Sequence, residues 1–84
     1  MNNDAKAVTA LPDYMLRVEL LDGRIGVFDL KPHLGMPGLA ALRDPAYFKS
    51  AQILFGAIIW PNGEDIAPAT LVAEMQQLSA RQPT

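Results

Sequence analysis

The stretch from Tyr14 to Asp29 constrains the fold more than any other part of the sequence. Tyr14, Leu16, Val18 and Leu20 alternate with Met15, Arg17 and Glu19, the period-2 pattern of a strand with one buried face. Asp22-Gly23 follows, and both residues tolerate the positive φ of a two-residue hairpin turn. Such a turn places Leu20 opposite Ile25, Val18 opposite Val27 and Leu16 opposite Asp29. Directly opposed residues share a face, so five aliphatic side chains fall together and a one-residue slip would scatter them. The other face pairs Glu19 with Gly26, and Arg17 with Phe28 in a cross-strand cation–π contact. This register leaves Asp29 on the apolar face. A carboxylate there is either an acid of raised pKa or a cap on the backbone of Lys31-Pro32-His33. Capping is the simpler reading.

Around this hairpin, Ala7 to Leu11 reads as a preceding strand, turned into Tyr14 by Pro12-Asp13. Pro32, Gly35, Pro37, Gly38 and Pro45 break up the middle, so only short helical pieces are expected: Pro37 to Arg43, and one turn capped by Asp44 with Pro45 at its first position. Leu39, Leu42, Tyr47 and Phe48 are expected to cover one end of the core. Ala51 to Phe55 and Ala57 to Trp60 are apolar runs around Gly56, and their continuous apolar character predicts central strands buried on both faces. After Pro61-Asn62-Gly63, a helix is predicted from Pro68 to Ala80, with Leu71, Val72, Met75 and Leu78 on one face. The expected fold is α+β, in two layers. It has a mainly antiparallel sheet of about four or five short strands, a short helical middle segment and one C-terminal helix. The whole chain, 1–84, reads as one domain with an ordered core over about residues 7–80.

Composition narrows the function. With 84 residues and no Cys, the core is thin and no disulfide or thiolate metal site can support it. Association with itself or with another protein is the expected supplement. The formal net charge is −2 and no two of the seven basic residues are adjacent, which argues against direct nucleic-acid binding. The longest nearly apolar run, Ile53 to Trp60, is too short to cross a membrane. The N-terminus lacks an apolar signal stretch. A cytoplasmic protein without membrane contact is expected.

No catalytic, cofactor-binding or metal-binding constellation emerges. His33 is the sole His, and Ser50 and Ser79 sit in no nucleophile motif. Nothing in the spacing of Asp29, Asp44 or Asp65 selects a metal partner for His33, which reads as a surface residue of a loop. Glu64-Asp65 lies in a turn where neighbouring side chains diverge. The most distinctive patch is Trp60-Pro61-Asn62-Gly63-Glu64-Asp65. It reads either as a recognition loop, or as a packed Trp followed by a turn whose Asp65 bonds backbone amides before the helix. The candidates for contact with a partner are Trp60, Asn62 and Asp65, then Phe28.

Four features occur together and in order. They are Pro12-Asp13-Tyr14, the hairpin ending in Val27-Phe28-Asp29-Leu30, Leu42-Arg43-Asp44-Pro45 with Phe48, and Ile59-Trp60-Pro61-Asn62-Gly63-Glu64-Asp65-Ile66-Ala67-Pro68. In these the chain resembles the small bacterial domain of unknown function numbered 2442. The resemblance implies a small α+β fold and supplies no catalytic residues. Some relatives join this domain to a C-terminal helix-turn-helix, while others resemble partners of a small neighbouring protein, as in toxin–antitoxin pairs. This chain ends soon after Leu78 and departs from the first arrangement, which argues against direct DNA binding; the antitoxin-like partner is one form the expected function can take. The expected function is a non-enzymatic interaction module, regulatory or accessory, whose partner is another protein or a second copy. One alternative is a nucleic-acid-linked regulator acting through a partner or dimer. Another is a small-molecule sensor using the Trp60–Asp65 loop, which would need a pocket beside Trp60.

Overall fold

In the computed structural model, which describes residues 4–77, β1 (Ala5–Leu11), β2 (Met15–Leu20) and β3 (Ile25–Asp29) form an antiparallel meander. A short C-terminal strand extends it, and a second antiparallel sheet packs beside it. The α+β character is as expected, but the strands divide into two sheets of four and three rather than forming one.

The register of the β2–β3 hairpin corrects the expected one by a residue. Leu16 lies opposite Phe28, Arg17 opposite Val27 and Met15 opposite Asp29. The cause is the turn. The Gly23 amide donates to the Leu20 carbonyl and the Leu20 amide to the Arg24 carbonyl, so the loop has three residues, Leu21-Asp22-Gly23. Gly23 carries the positive φ, +95°, as in a β-turn followed by a left-handed glycine. This parity buries Phe28 with Leu16, Val18 and Leu20 and takes Asp29 off the apolar face. The Arg17–Phe28 contact is thereby excluded. Asp29 does cap the backbone: its Oδ1 accepts from the Lys31 amide at 2.9 Å. That hydrogen bond, with the Lys31 ammonium 3.2 Å away, holds its carboxyl below the ordinary aspartate range.

The middle is helical in short pieces, at Lys31–His33, Pro37–Arg43 and α1 (Pro45–Phe48). The Asp44 carboxylate caps α1 by accepting from the Ala46 amide at 3.0 Å. Leu42 and Phe48 enter the core, with Leu39 and Tyr47 packed at its margin.

The second sheet runs β4 (Gln52–Leu54), β5 (Ala57–Ile59) and β6 (Asp65–Ile66). Here β4 is an edge strand with Gln52 and Leu54 exposed, not the doubly buried strand its composition suggests. The β5–β6 turn repeats the β2–β3 design. The Gly63 amide donates to the Trp60 carbonyl and the Trp60 amide to the Glu64 carbonyl, with Gly63 at φ +101°.

Helix α2 (Pro68–Glu74) ends sooner than its apolar stripe predicts. Leu71 and Met75 are buried and Val72 partly so, while Leu78 lies outside the described residues. The chain leaves the helix at Met75, and β7 (Gln76–Gln77) pairs with Gly26 and Val27. Backbone hydrogen bonds along an open strand edge thus replace a last helical turn. Gly26 permits the approach, because a Cβ there would lie 2.9 Å from the Gln76 carbonyl oxygen.

Candidate functional site

The Trp60–Asp65 segment is a rigid corner. Trp60 is 1% exposed, stacks on Phe48 at 6.3 Å, and donates its indole Nε1–H to the Phe48 carbonyl at 2.9 Å. Satisfying the one polar group of a buried indole makes it a core residue. Tyr47 locks the turn from outside: its hydroxyl donates to Glu64 Oε1 at 2.6 Å and accepts from the Asn62 amide at 2.7 Å. Partial burial and the Glu64 carboxylate both push the Tyr47 phenol up. Asn62 is exposed on the turn. Asp65 is also exposed, but it belongs to β6 opposite Ile59 and caps nothing on α2, whose N-cap Ala67 has no side-chain hydrogen bond. Of the four contact candidates, Trp60 and Phe28 lie in the core, with Phe28 also lining a groove beside α2, while Asn62 and Asp65 are exposed.

Asp65 joins an open groove of about 420 Å³ between the middle segment, β6 and α2. Phe28, Leu30 and Leu39 are apolar lining residues, Met36 is 52% exposed beside them, and Asp65, Thr70 and Glu74 supply polar groups. His33 also lines the groove. It is not the solvated loop residue expected: its ring stacks on Phe28 at 5.6 Å and its Nε2 lies 2.7 Å from Glu74 Oε1. A second cleft, of about 430 Å³, is lined by residues that include Leu11, Pro12, Tyr14 and Phe48. Neither cleft is lined by Trp60 or Asn62, so the pocket that a sensor built on Trp60 would need is not beside that residue in either. Among the described residues, no three His, Asp or Glu side chains gather as a metal-holding group.

Among the described residues, the most exposed large apolar side chain lies elsewhere. Phe55 is 92% exposed, at the tip of the β4–β5 hairpin. Leu54 pairs with Ala57, so Phe55-Gly56 is a two-residue loop, and both residues have positive φ, +49° and +80°. The Ala5 amide donates to the Gly56 carbonyl at 2.8 Å and the Leu21 amide to the Asp4 carbonyl at 2.9 Å. The two hairpin turns thus flank Asp4–Ala5. Around that junction Leu21, Leu54 and Phe55 are 52%, 48% and 92% exposed.

A family of proteins of unknown function, DUF2442, matches residues 5–77. The chain belongs to DUF2442. The match runs from the first residue of β1 to the last of β7, so the DUF2442 domain takes in every strand and helix described above. No curated protein and no solved structure matches the chain. Among the described residues, no helix is long and apolar enough to cross a membrane.

Sequence reasoning did not single out Phe55 or Glu74, and it read His33 as a surface loop residue. Phe55 was legible: a residue followed by Gly between two short apolar strands is a two-residue hairpin loop. The His33–Glu74 pair was not, because its members lie 41 positions apart and only the packing of α2 brings them together.

Proposed function

We propose that this DUF2442 chain is a non-enzymatic protein-interaction module, a regulatory or accessory protein of the cytoplasm. In this reading its partner is another protein that receives Phe55 in an apolar pocket. The observation that carries it is the exposure of Phe55 in a left-handed conformation. A bulky side chain at positive φ is unfavourable, and Asn or Gly suits this loop better. Phe55 breaks that local rule and packs on almost nothing among the described residues. Departures of this kind concentrate where function asks for them. Aromatic anchors ringed by smaller apolar contacts are the usual centre of a protein interface, and Leu21 and Leu54 supply such a ring.

The test is affinity capture with tagged wild type and Phe55→Asn, each at endogenous level, followed by native mass spectrometry. A stoichiometric partner bound by the wild type and lost from the variant supports the reading. A dimer mass that the variant reduces to monomer would identify the partner as a second copy. Equal recovery of the same partner by both proteins, or a bare monomer for both, would overturn the role given to Phe55.

A further inference from the structure

The groove between the middle segment and α2 is a second surface, lined by none of Leu21, Leu54 and Phe55 and built from different chemistry. Its lining combines a buried apolar floor, Phe28 and Leu30, with an exposed thioether at Met36 and two carboxylates, Asp65 and Glu74. No Lys or Arg lines it, and the one basic side chain that does, His33, is paired with Glu74. Each class of occupant can be weighed against that lining. A purely apolar side chain would cover Met36 and Leu39 but would strip water from the Asp65 carboxylate and from the Glu74 oxygen that His33 does not hold, and return no hydrogen bond to either, which is costly. An acidic occupant would face like charge. An occupant with an aliphatic stem and a cationic head satisfies both parts of the surface.

We propose that this groove receives an arginine side chain from a partner polypeptide. Its stem would lie along Met36 and Leu39, and its guanidinium would reach the Asp65 and Glu74 carboxylates. Arginine fits better than lysine because its flat, weakly hydrated head forms forked hydrogen bonds to carboxylates. Glu74 Oε1 is held by His33, whose ring is fixed by stacking on Phe28. One receptor carboxylate is therefore positioned before anything binds, which lowers the ordering cost of association. The inference rests on reading the chain as an interaction module, but it concerns a different surface from Phe55.

The experiment uses the full ¹⁵N-labelled chain and the blocked tripeptide acetyl-Ala-Arg-Ala-amide. The comparison peptide carries citrulline, which has nearly the shape of arginine without its charge. Amide resonances are followed during titration at low salt. Saturable shifts confined to the groove, about tenfold weaker with citrulline as expected for loss of a charge-assisted hydrogen bond, support the proposal. Asp65→Asn and Glu74→Gln should each weaken arginine binding severalfold while preserving the spectrum, since glutamine can still bond His33. Equal shifts with both peptides, shifts spread over the exposed Asp13 and Asp22, or no shifts at all would overturn it. Phe55→Asn should bind the arginine peptide as the wild type does. Failure at the hairpin tip and failure at the groove are therefore separately visible.

Discussion

Replacing Phe55 by Asn should stabilise the isolated protein while removing its binding anchor. The magnitude follows from two opposing contributions. A non-glycine side chain in the left-handed region costs roughly 1–2 kcal/mol, and Asn largely escapes that cost. The contacts forfeited are few, because Phe55 is 92% exposed. A phenylalanine that hides about a tenth of its ~200 Å² loses ~0.5 kcal/mol of burial at ~25 cal/mol/Å². The net gain is about 1 kcal/mol. For a domain of this size that corresponds to a rise in Tm of roughly 4–8 °C. Thermal unfolding followed by circular dichroism, with urea unfolding as a check on the slope, measures it. A Tm equal to or below that of the wild type would refute the reasoning, since Phe55 would then be packed on its own chain and its exposure would need no partner to explain it. Opposite signs for stability and partner capture form the signature sought, because a merely structural residue loses both together.

Other outcomes follow from the same structure. Trp60→Ala should cost about 3–5 kcal/mol, the usual range for removing a buried large aromatic, and leave poorly dispersed NMR spectra. Asn62→Ala, which spares the backbone amide bonded to Tyr47, should move stability by no more than about 0.5 kcal/mol. Gly26→Ala should cost about 1–3 kcal/mol by overpacking and speed amide exchange at Gln76 and Gln77, as its new Cβ forces β7 off β3. The carboxyl of Asp29 sits below the ordinary aspartate value of 3.8, so its stabilisation is present above that pH and fades as pH falls through the lower folded-state value. Asp29→Asn should therefore narrow the stability difference between neutral and acid pH, measured as urea midpoints at about pH 7 and about pH 3, on either side of the ordinary aspartate value. No narrowing would contradict the cap.

Much of the fold was legible because several local signals are strong on their own. The Asp44-Pro45 cap, the Pro12-Asp13 turn and the Asp22-Gly23 hairpin each stand where the residues demand. The β2–β3 register was missed by one residue, because glycine serves both a two-residue turn and a three-residue loop with a left-handed final residue. The misfit was visible in advance. A two-residue turn leaves Asp29 opposite Leu16 and turns Phe28 outward, whereas the observed register buries Phe28 and frees Asp29 to accept from Lys31. The short α2 was not legible, since nothing in Met75-Gln76-Gln77 marks a stop. It is the open edge of β3, admitted by Gly26, that takes the chain out of the helix. The groove was half legible: Asp65 stood out, while its companions His33 and Glu74 are assembled by tertiary packing alone.

The segments that carry the family resemblance mostly hold the fold together. Tyr14 packs edge-on against Phe48 at 5.4 Å and its hydroxyl donates to the Arg43 carbonyl, Phe48 stacks on Trp60, and Asp29 and Asp44 cap their own backbones. A family match over 5–77 therefore transfers a scaffold with well-defined reasons for each of these residues. Phe55, Met36 and Glu74 fall between those segments, on a hairpin tip, a loop and the last turn of a short helix. None of the three has a comparable task in the core. Rigid sheets fix where such positions point, while substitutions at them cost the scaffold little. Asp65, Phe28 and Leu30 belong to both sets, since they lie in motif segments and also line the groove. If binding resides in these side chains, exchanging Phe55 and Met36 between two DUF2442 domains should exchange partners and leave the unfolding transition of each domain within about 1 kcal/mol. Loss of folding on such exchange would return these residues to the scaffold and remove the ground for both docking surfaces.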